Sequence, residues 1–190
     1  MKKLVVFMHT SLDGFVAGPQ GEMDWISVDD AMFELAGKRT EESDTALYGR
    51  VTYQMMDAYW PTAAVQPSAS KHDIEHGNWY NQVEKIVISK SLRGMSKPKT
   101  EVISENMTTE VDKLKKGNGK DIVVFGSPST YHQLIDAGLV DELWMFVNPI
   151  LLGEGISMFG KIKNRQKFSL TEATTFASGV VCLHYKKFNN

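Results

Sequence analysis

At 190 residues, 42% hydrophobic and 23% charged, the chain is long enough to bury a core and short enough to read as one domain over 1–190. A formal net charge of −2 leaves no basic surplus to neutralise a phosphate backbone, so nucleic acid is not expected as its main partner. No run approaches the roughly 18 to 20 apolar residues that cross a bilayer, and the lone Cys182 excludes an intramolecular disulfide or a thiolate zinc site within one chain; a soluble, cytoplasmic protein without membrane partners is expected.

Met1-Lys2-Lys3 and the apolar run 4–8 begin like a signal peptide, but the run is too short and no small-residue cleavage site follows. It reads as a first strand. Helical patterning over 30–41 comes next, then an apolar run at 45–48, a helix over 52–58, and a long irregular stretch at 61–78 rich in Pro, Ser, His and Gly. Runs at 85–89 and 121–125, a weaker one at 100–103, and helices over 109–116 and 129–137 complete an alternation of strand and helix. Short continuous apolar runs suit strands buried on both faces of a parallel sheet. The last third changes character: strands at 143–147, 168–175 and 180–188, the last two joined by a hairpin-sized loop at 176–179. The expectation is a three-layer α/β fold of about eight mostly parallel strands, with an antiparallel C-terminal hairpin and helices on both faces. The apolar succession Trp144, Met145, Phe146 and Val147, read as lying near a sheet edge, is expected to be covered by a second copy in a homodimer.

Several motifs fail on inspection. Gly153-Glu154-Gly155 opens like a dinucleotide-binding turn, but Met158 stands where the third Gly belongs and no helix pattern follows. His72 and His76 lie four apart, yet no Glu follows His72, and a solvated helix end is the simpler reading than a metal pair. Neither a G-x-S-x-G elbow, a P-loop nor the zinc-deaminase elements occur. Cys182, in an alternating strand, reads as a core thiol.

Three segments just past strand ends carry more, because open α/β sheets bind ligands there. Gly49-Arg50-Val51-Thr52 opens a helix whose free N–H groups face an anion, with Thr52 able to cap and Arg50 adding charge. Ser89, Lys90 and Ser91 offer two hydroxyls and an ammonium where an NAD enzyme places a carboxylate, which suits a ribose 2′-phosphate. Gly126-Ser127-Pro128-Ser129-Thr130 is a second helix start with small residues that admit a pyrophosphate. Each alone is equally a capped helix or a solvated turn. Together they fit one small molecule, NADPH.

The chain resembles the dihydrofolate-reductase-like family that includes the reductase domain of riboflavin biosynthesis, and looks closest to its small stand-alone bacterial members. Four segments carry the resemblance: Ser11-Leu12-Asp13-Gly14 with Asp24-Trp25; Gly49-Arg50-Val51-Thr52; Val87-Ile88-Ser89-Lys90-Ser91-Leu92; and Gly138-Leu139-Val140-Asp141-Glu142-Leu143 followed by Pro149-Ile150-Leu151-Leu152-Gly153-Glu154-Gly155 and Phe159. It implies cofactor contacts from Gly49, Arg50, Thr52, Ser89, Lys90, Ser91, Gly126, Ser127, Ser129 and Thr130. Two departures stand out. A Gly-Gly pair of the relatives, joined by a cis peptide, appears here as Gly126-Ser127, and Tyr59-Trp60-Pro61 replaces an Asn-Pro and basic residue of the riboflavin reductases. The implied activity is hydride transfer from NADPH to a small pterin-, folate- or pyrimidinone-like heterocycle. Asp30 and Asp13 are the catalytic candidates on the proton side, with N-capping and turn stabilisation as their structural alternatives. Asp24 and Trp25 are the substrate-side candidates, Trp25 by stacking or as a core residue. The rival readings are the pyrimidinone reductase step itself and a nucleotide-binding module without turnover.

Overall fold

The computed structural model describes residues 1–188. In chain order the elements are β1 (Leu4–Thr10), β2 (Phe15–Ala17), α1 (Asp30–Glu41), β3 (Ser43–Gly49), α2 (Arg50–Ala63), α3 (Lys71–Gln82), β4 (Glu84–Ile88) and β5 (Thr100–Ile103). There follow α4 (Met107–Lys116), β6 (Asp121–Phe125), α5 (Pro128–Asp136), β7 (Glu142–Val147), β8 (Ile156–Ser157), β9 (Phe168–Thr175) and β10 (Val181–Lys187). The strand order is β5-β4-β3-β6-β1-β7-β10-β9. From β5 to β7 every pairing is parallel, and β10 runs antiparallel to both β7 and β9.

β1 is apolar and buried from Leu4 to Met8 because it lies inside the sheet, with β6 on one side and β7 on the other. Side chains of a strand alternate between faces. Leu4, Val6 and Met8 accordingly join Leu47, Val124, Val111 of α4 and Leu134 of α5 in one core. Phe7 joins Tyr48, Val123 and Phe146 under Met32 of α1, Tyr53 of α2 and Tyr80 of α3 in the other. Each such fully buried aliphatic side chain contributes about 1.5–3 kcal/mol, so the two layers hold the sheet from both sides. No helix among the described residues is long and apolar enough to cross a membrane.

Two expectations need correction. The stretch 61–78 is irregular only over 64–70: α2 continues to Ala63 with Pro61 in its last turn, and α3 begins at Lys71. A capping box starts α3, Asp73 N donating to Ser70 Oγ at 3.1 Å and Ser70 N donating to Asp73 Oδ2 at 2.9 Å. Gly77, which made the segment look loop-like, is there for close approach: a Cβ would lie 3.2 Å from Ala64 N. The second correction concerns β7. It is not near an edge, since β1 and β10 pair with both its sides and Phe146 is fully buried; the edge belongs to β9. The small ribbon of β2 and β8 was not anticipated.

Candidate functional site

The carboxyl ends of β1, β3, β4 and β6 open onto a cavity of about 1160 Å³. Gly49, Arg50, Thr52, Ser89, Lys90, Ser91, Gly126, Ser127, Ser129 and Thr130 all line it. α2 starts after Gly49 and α5 after Ser127, neither with a side-chain cap; in α5 Pro128 carries no N–H and Thr130 N donates to Ser127 O at 2.9 Å, so Ser129 N–H is the first-turn amide without a partner among the described residues. Thr52 does not cap as expected. Its hydroxyl accepts from Ser127 Oγ at 2.8 Å, and Ser127 Oγ in turn accepts from Gly49 N at 2.7 Å. That chain of hydroxyls ties the two helix starts side by side, where their dipoles favour an anion. Only glycine fits at position 49, because a Cβ there would lie 2.9 Å from both Ser127 Oγ and Thr130 Oγ1. The neighbouring turn is made by two left-handed residues, Gly126 at φ 58° and Ser127 at φ 61°, and no cis peptide occurs among the described residues.

The charges around this cradle are positive. Arg50 is exposed and its Nη1 donates to Gln54 Oε1 at 2.9 Å. Lys90 is exposed just past β4, while Ser89 is buried and its Oγ accepts from Leu92 N at 3.2 Å, which shapes the turn that presents Lys90 and Ser91. Lys161 enters from the loop after β8. Among the described residues no Asp or Glu lines the cavity.

The proton-side and substrate-side candidates are not brought there. Asp13 accepts from Ser11 Oγ at 2.5 Å, Leu152 N at 3.1 Å and Gly153 N at 2.8 Å, tying the turn after β1 to the loop after β7. These bonds, the one from Ser11 foremost, hold its carboxyl below the usual range. Asp30 is exposed as the first residue of α1. The cap is Asp29, whose carboxylate accepts from Met32 N at 2.9 Å and Ser178 N at 3.1 Å; Met32 and Phe33, not Asp30, reach the cavity. Asp24 is exposed, and Trp25 is half-buried with Nε1 donating to Glu22 O at 3.1 Å; neither lines the cavity.

In their place stand His9, which sequence reasoning passed over, and His72 and His76, which it read as a solvated helix end. His9 extends from β1 with its ring stacked on Phe146 at 5.0 Å, and burial pushes its pKa down to about 4. His72 stacks on Phe33 at 4.0 Å, and His76 lies 4.2 Å from Trp60. Burial pushes the His76 pKa down to about 3, and its Nε2 is buried without a partner. The expectation of a solvated helix end is therefore corrected, because α3 packs against α1 and α2 and turns this histidine face inward. The i, i+4 spacing was the available signal, as was the position of His9 two residues beyond Phe7 on the same strand face. Cys182 is a buried thiol pushed up to about 12.

A mostly parallel sheet whose strand ends share one cleft with two helix starts defines an open-sheet α/β domain, here with the dihydrofolate-reductase-like topology. The chain belongs to the RibD C-terminal domain family, whose model matches residues 2–182. A protein of Bacillus subtilis, described as uncharacterized protein YyaP, is 33% identical over 190 residues, 97% of this chain and 94% of that one. Among solved structures, a putative riboflavin biosynthesis protein from Shewanella sp. PV-4 has a TM-score of 0.70 at 20% identity, covering 98% of this chain and 99% of its own. A Thermotoga maritima diaminohydroxyphosphoribosylaminopyrimidine deaminase/5-amino-6-(5-phosphoribosylamino)uracil reductase has a TM-score of 0.71 at 16% identity, with 98% of this chain matching 57% of that one.

Proposed function

We propose that this protein is an NADPH-dependent reductase that passes hydride to a small planar acceptor bound in the same cavity. The observation that carries the reading is the hydroxyl-linked pair of helix starts without side-chain caps, brought so close at Gly49 that no Cβ fits between them. A pyrophosphate suits the amides of α2 and α5 together with Arg50, and a ribose 2′-phosphate suits Lys90 and Ser91. When bound, the nicotinamide supplies the hydride. The chain's own part is to bind the phosphates, exclude water with the aromatic and methionine side chains of the helical wall, and orient the acceptor. His9, neutral around pH 7, offers a hydrogen bond at the end of β1 rather than a charge.

The family assignment supports a reductase of riboflavin-pathway type, and the printed activity of the Thermotoga relative supports a pyrimidinone as one acceptor to try. A second reading, a nucleotide-binding module without turnover, is favoured by the absence of a carboxylate from the cavity lining among the described residues. NADPH consumption measured with pterins, folates, pyrimidinones and quinones separates them. Consumption with any one acceptor is expected. Tight NADPH binding without consumption would favour the module, and no binding at all would overturn both.

A further inference from the structure

Asn148, just past β7, is fully buried, and its amide can point only one way. Its Oδ1 accepts from Ser27 N at 2.9 Å, while its Nδ2 donates to Phe146 O at 3.0 Å and faces Thr10 O at 3.4 Å. Turned over, the amide would set N–H against N–H and oxygen against two carbonyls, leaving buried polar groups unpaired. The same Nδ2 lies 3.4 Å from His9 Nδ1. A hydrogen on Nδ1 would meet the amide hydrogens. Nδ1 therefore keeps its lone pair, and the neutral ring carries its proton on Nε2.

His9 is half-buried, lines the cavity and stacks on Phe146 at 5.0 Å, which fixes the plane of its ring. Among the described residues its Nε2 has no hydrogen-bond partner and, unlike His76 Nε2, it is not enclosed. β1 pairs with β6 so that Phe7 lies opposite Phe125. His9 thus stands about level with the Gly126–Ser127 turn, one strand spacing of about 4.8 Å away. Lys90 lies on the other side of that turn, past β4, with β3 between β4 and β6. A dinucleotide with its 2′-phosphate at Lys90 and its pyrophosphate between the starts of α2 and α5 would run toward β1, with its nicotinamide and the acceptor at the His9 end.

We propose that Asn148 is a positioning residue: it holds His9 as the Nε2–H tautomer, and that N–H donates to a carbonyl oxygen on the planar part of the bound pair. The proposal rests on the NADPH reading of the cradle. The oxygen is that of the nicotinamide carboxamide or of the acceptor ring, both uncharged lone-pair acceptors that a neutral N–H recognises. An N–H edge presented at the same place would face N–H against N–H, so the fixed tautomer selects the carbonyl edge. Burial pushes the His9 pKa down to about 4, so around pH 7 the ring orients its ligand and transfers no proton. Through Ser27 N the same amide also holds the loop that brings Ile26 and Val28 to the cavity.

The test uses the intact protein at pH 7. Nitrogen-15 spectra of the imidazole rings, with the His9 signals assigned by their loss in His9→Phe, are expected to show His9 protonated on Nε2; protonation on Nδ1 would overturn the proposal. Asn148→Asp keeps an acceptor for Ser27 N but turns an oxygen to His9 Nδ1, and is expected to move the proton to Nδ1. A ring still protonated on Nε2 would overturn the positioning role. Should Asn148→Asp not fold, the parent spectrum and His9→Phe still decide. His9→Phe keeps the stack on Phe146 and removes the N–H. It is expected to raise, roughly three- to tenfold, either the NADPH dissociation constant or the KM of whichever of dihydrofolate, dihydrobiopterin and menadione the parent reduces. The first result assigns the oxygen to the carboxamide, the second to the acceptor, and neither change would overturn the proposal. Affinity for adenosine 2′,5′-bisphosphate, which carries neither group, should stay as in the parent, whereas a packing defect would lower it too. A parent that binds neither NADPH nor the bisphosphate would refute the cofactor reading, while the tautomer is read without any ligand, so the two failures are distinct.

Discussion

Arg50 is exposed and held by Gln54, so removing its side chain opens no cavity in the core. A guanidinium bonded to phosphate in a partly desolvated cleft contributes about 1.5–3 kcal/mol, and Arg50→Ala should raise the NADPH dissociation constant roughly tenfold to a hundredfold. The melting curve of the free variant should shift by no more than about 0.5 kcal/mol in stability; parent-like binding with a clear loss of stability would make Arg50 structural. Lys90 is proposed to act on the ribose 2′-phosphate. Lys90→Glu should weaken NADPH by about 1.5–3 kcal/mol and leave NADH nearly unchanged, and equal loss for both in a competition assay would remove Lys90 from that role. The buried histidines give a pH dependence of fixed sign. Below pH 6.5 the unfolded chain takes up protons at His9 and His76, whereas the folded chain resists until about 4 and about 3 respectively, so stability falls as pH drops through that window. The slope is up to about 1.4 kcal/mol per pH unit for each histidine. Urea unfolding at a series of pH values should show it, and His76→Phe should flatten it. An unchanged slope in that variant would contradict the burial argument.

At the scale of elements, the cradle depends on the contact between the starts of α2 and α5. Gly49→Ala pushes a methyl carbon to within 2.9 Å of Ser127 Oγ and Thr130 Oγ1. Overpacking of this kind costs about 1–3 kcal/mol, and NADPH affinity should fall with it as the two helix starts separate. A variant with parent-like stability and affinity would mean the contact is not needed. The two helix starts that line the cavity were legible in the sequence because small polar residues after an apolar run mark a strand end opening a helix. Their convergence was not, since it depends on β3 and β6 being neighbours, a long-range pairing. The same limit explains the aromatic wall. Residues 61–78 carry Pro, Ser and Gly at positions that suit the end of α2, the cap of α3 and a close helix crossing, and locally these look like a loop. Asp30 was misjudged by a single position, for Asp29 takes the cap and leaves Asp30 facing solvent.

For the whole molecule, we propose that a homodimer contact lies at β9. β9 leaves one side unpaired, Leu170 on it is 53% exposed, and Leu183 and Tyr185 of β10 are half-buried on the same sheet face. An exposed apolar edge of this kind is commonly covered by a two-fold partner. Sedimentation at micromolar concentration should show a species of twice 21.3 kDa that Leu170→Asp dissociates, and a 21.3 kDa species alone would contradict it.

Calorimetric titration of the intact protein with NADPH and with NADH measures directly whether the cavity is a site for NADPH. One NADPH per chain is expected, bound at least about tenfold more tightly than NADH through the charge-assisted contacts of Lys90 and Ser91. No heat with either nucleotide, or equal affinity for both, would contradict the placement of the cofactor.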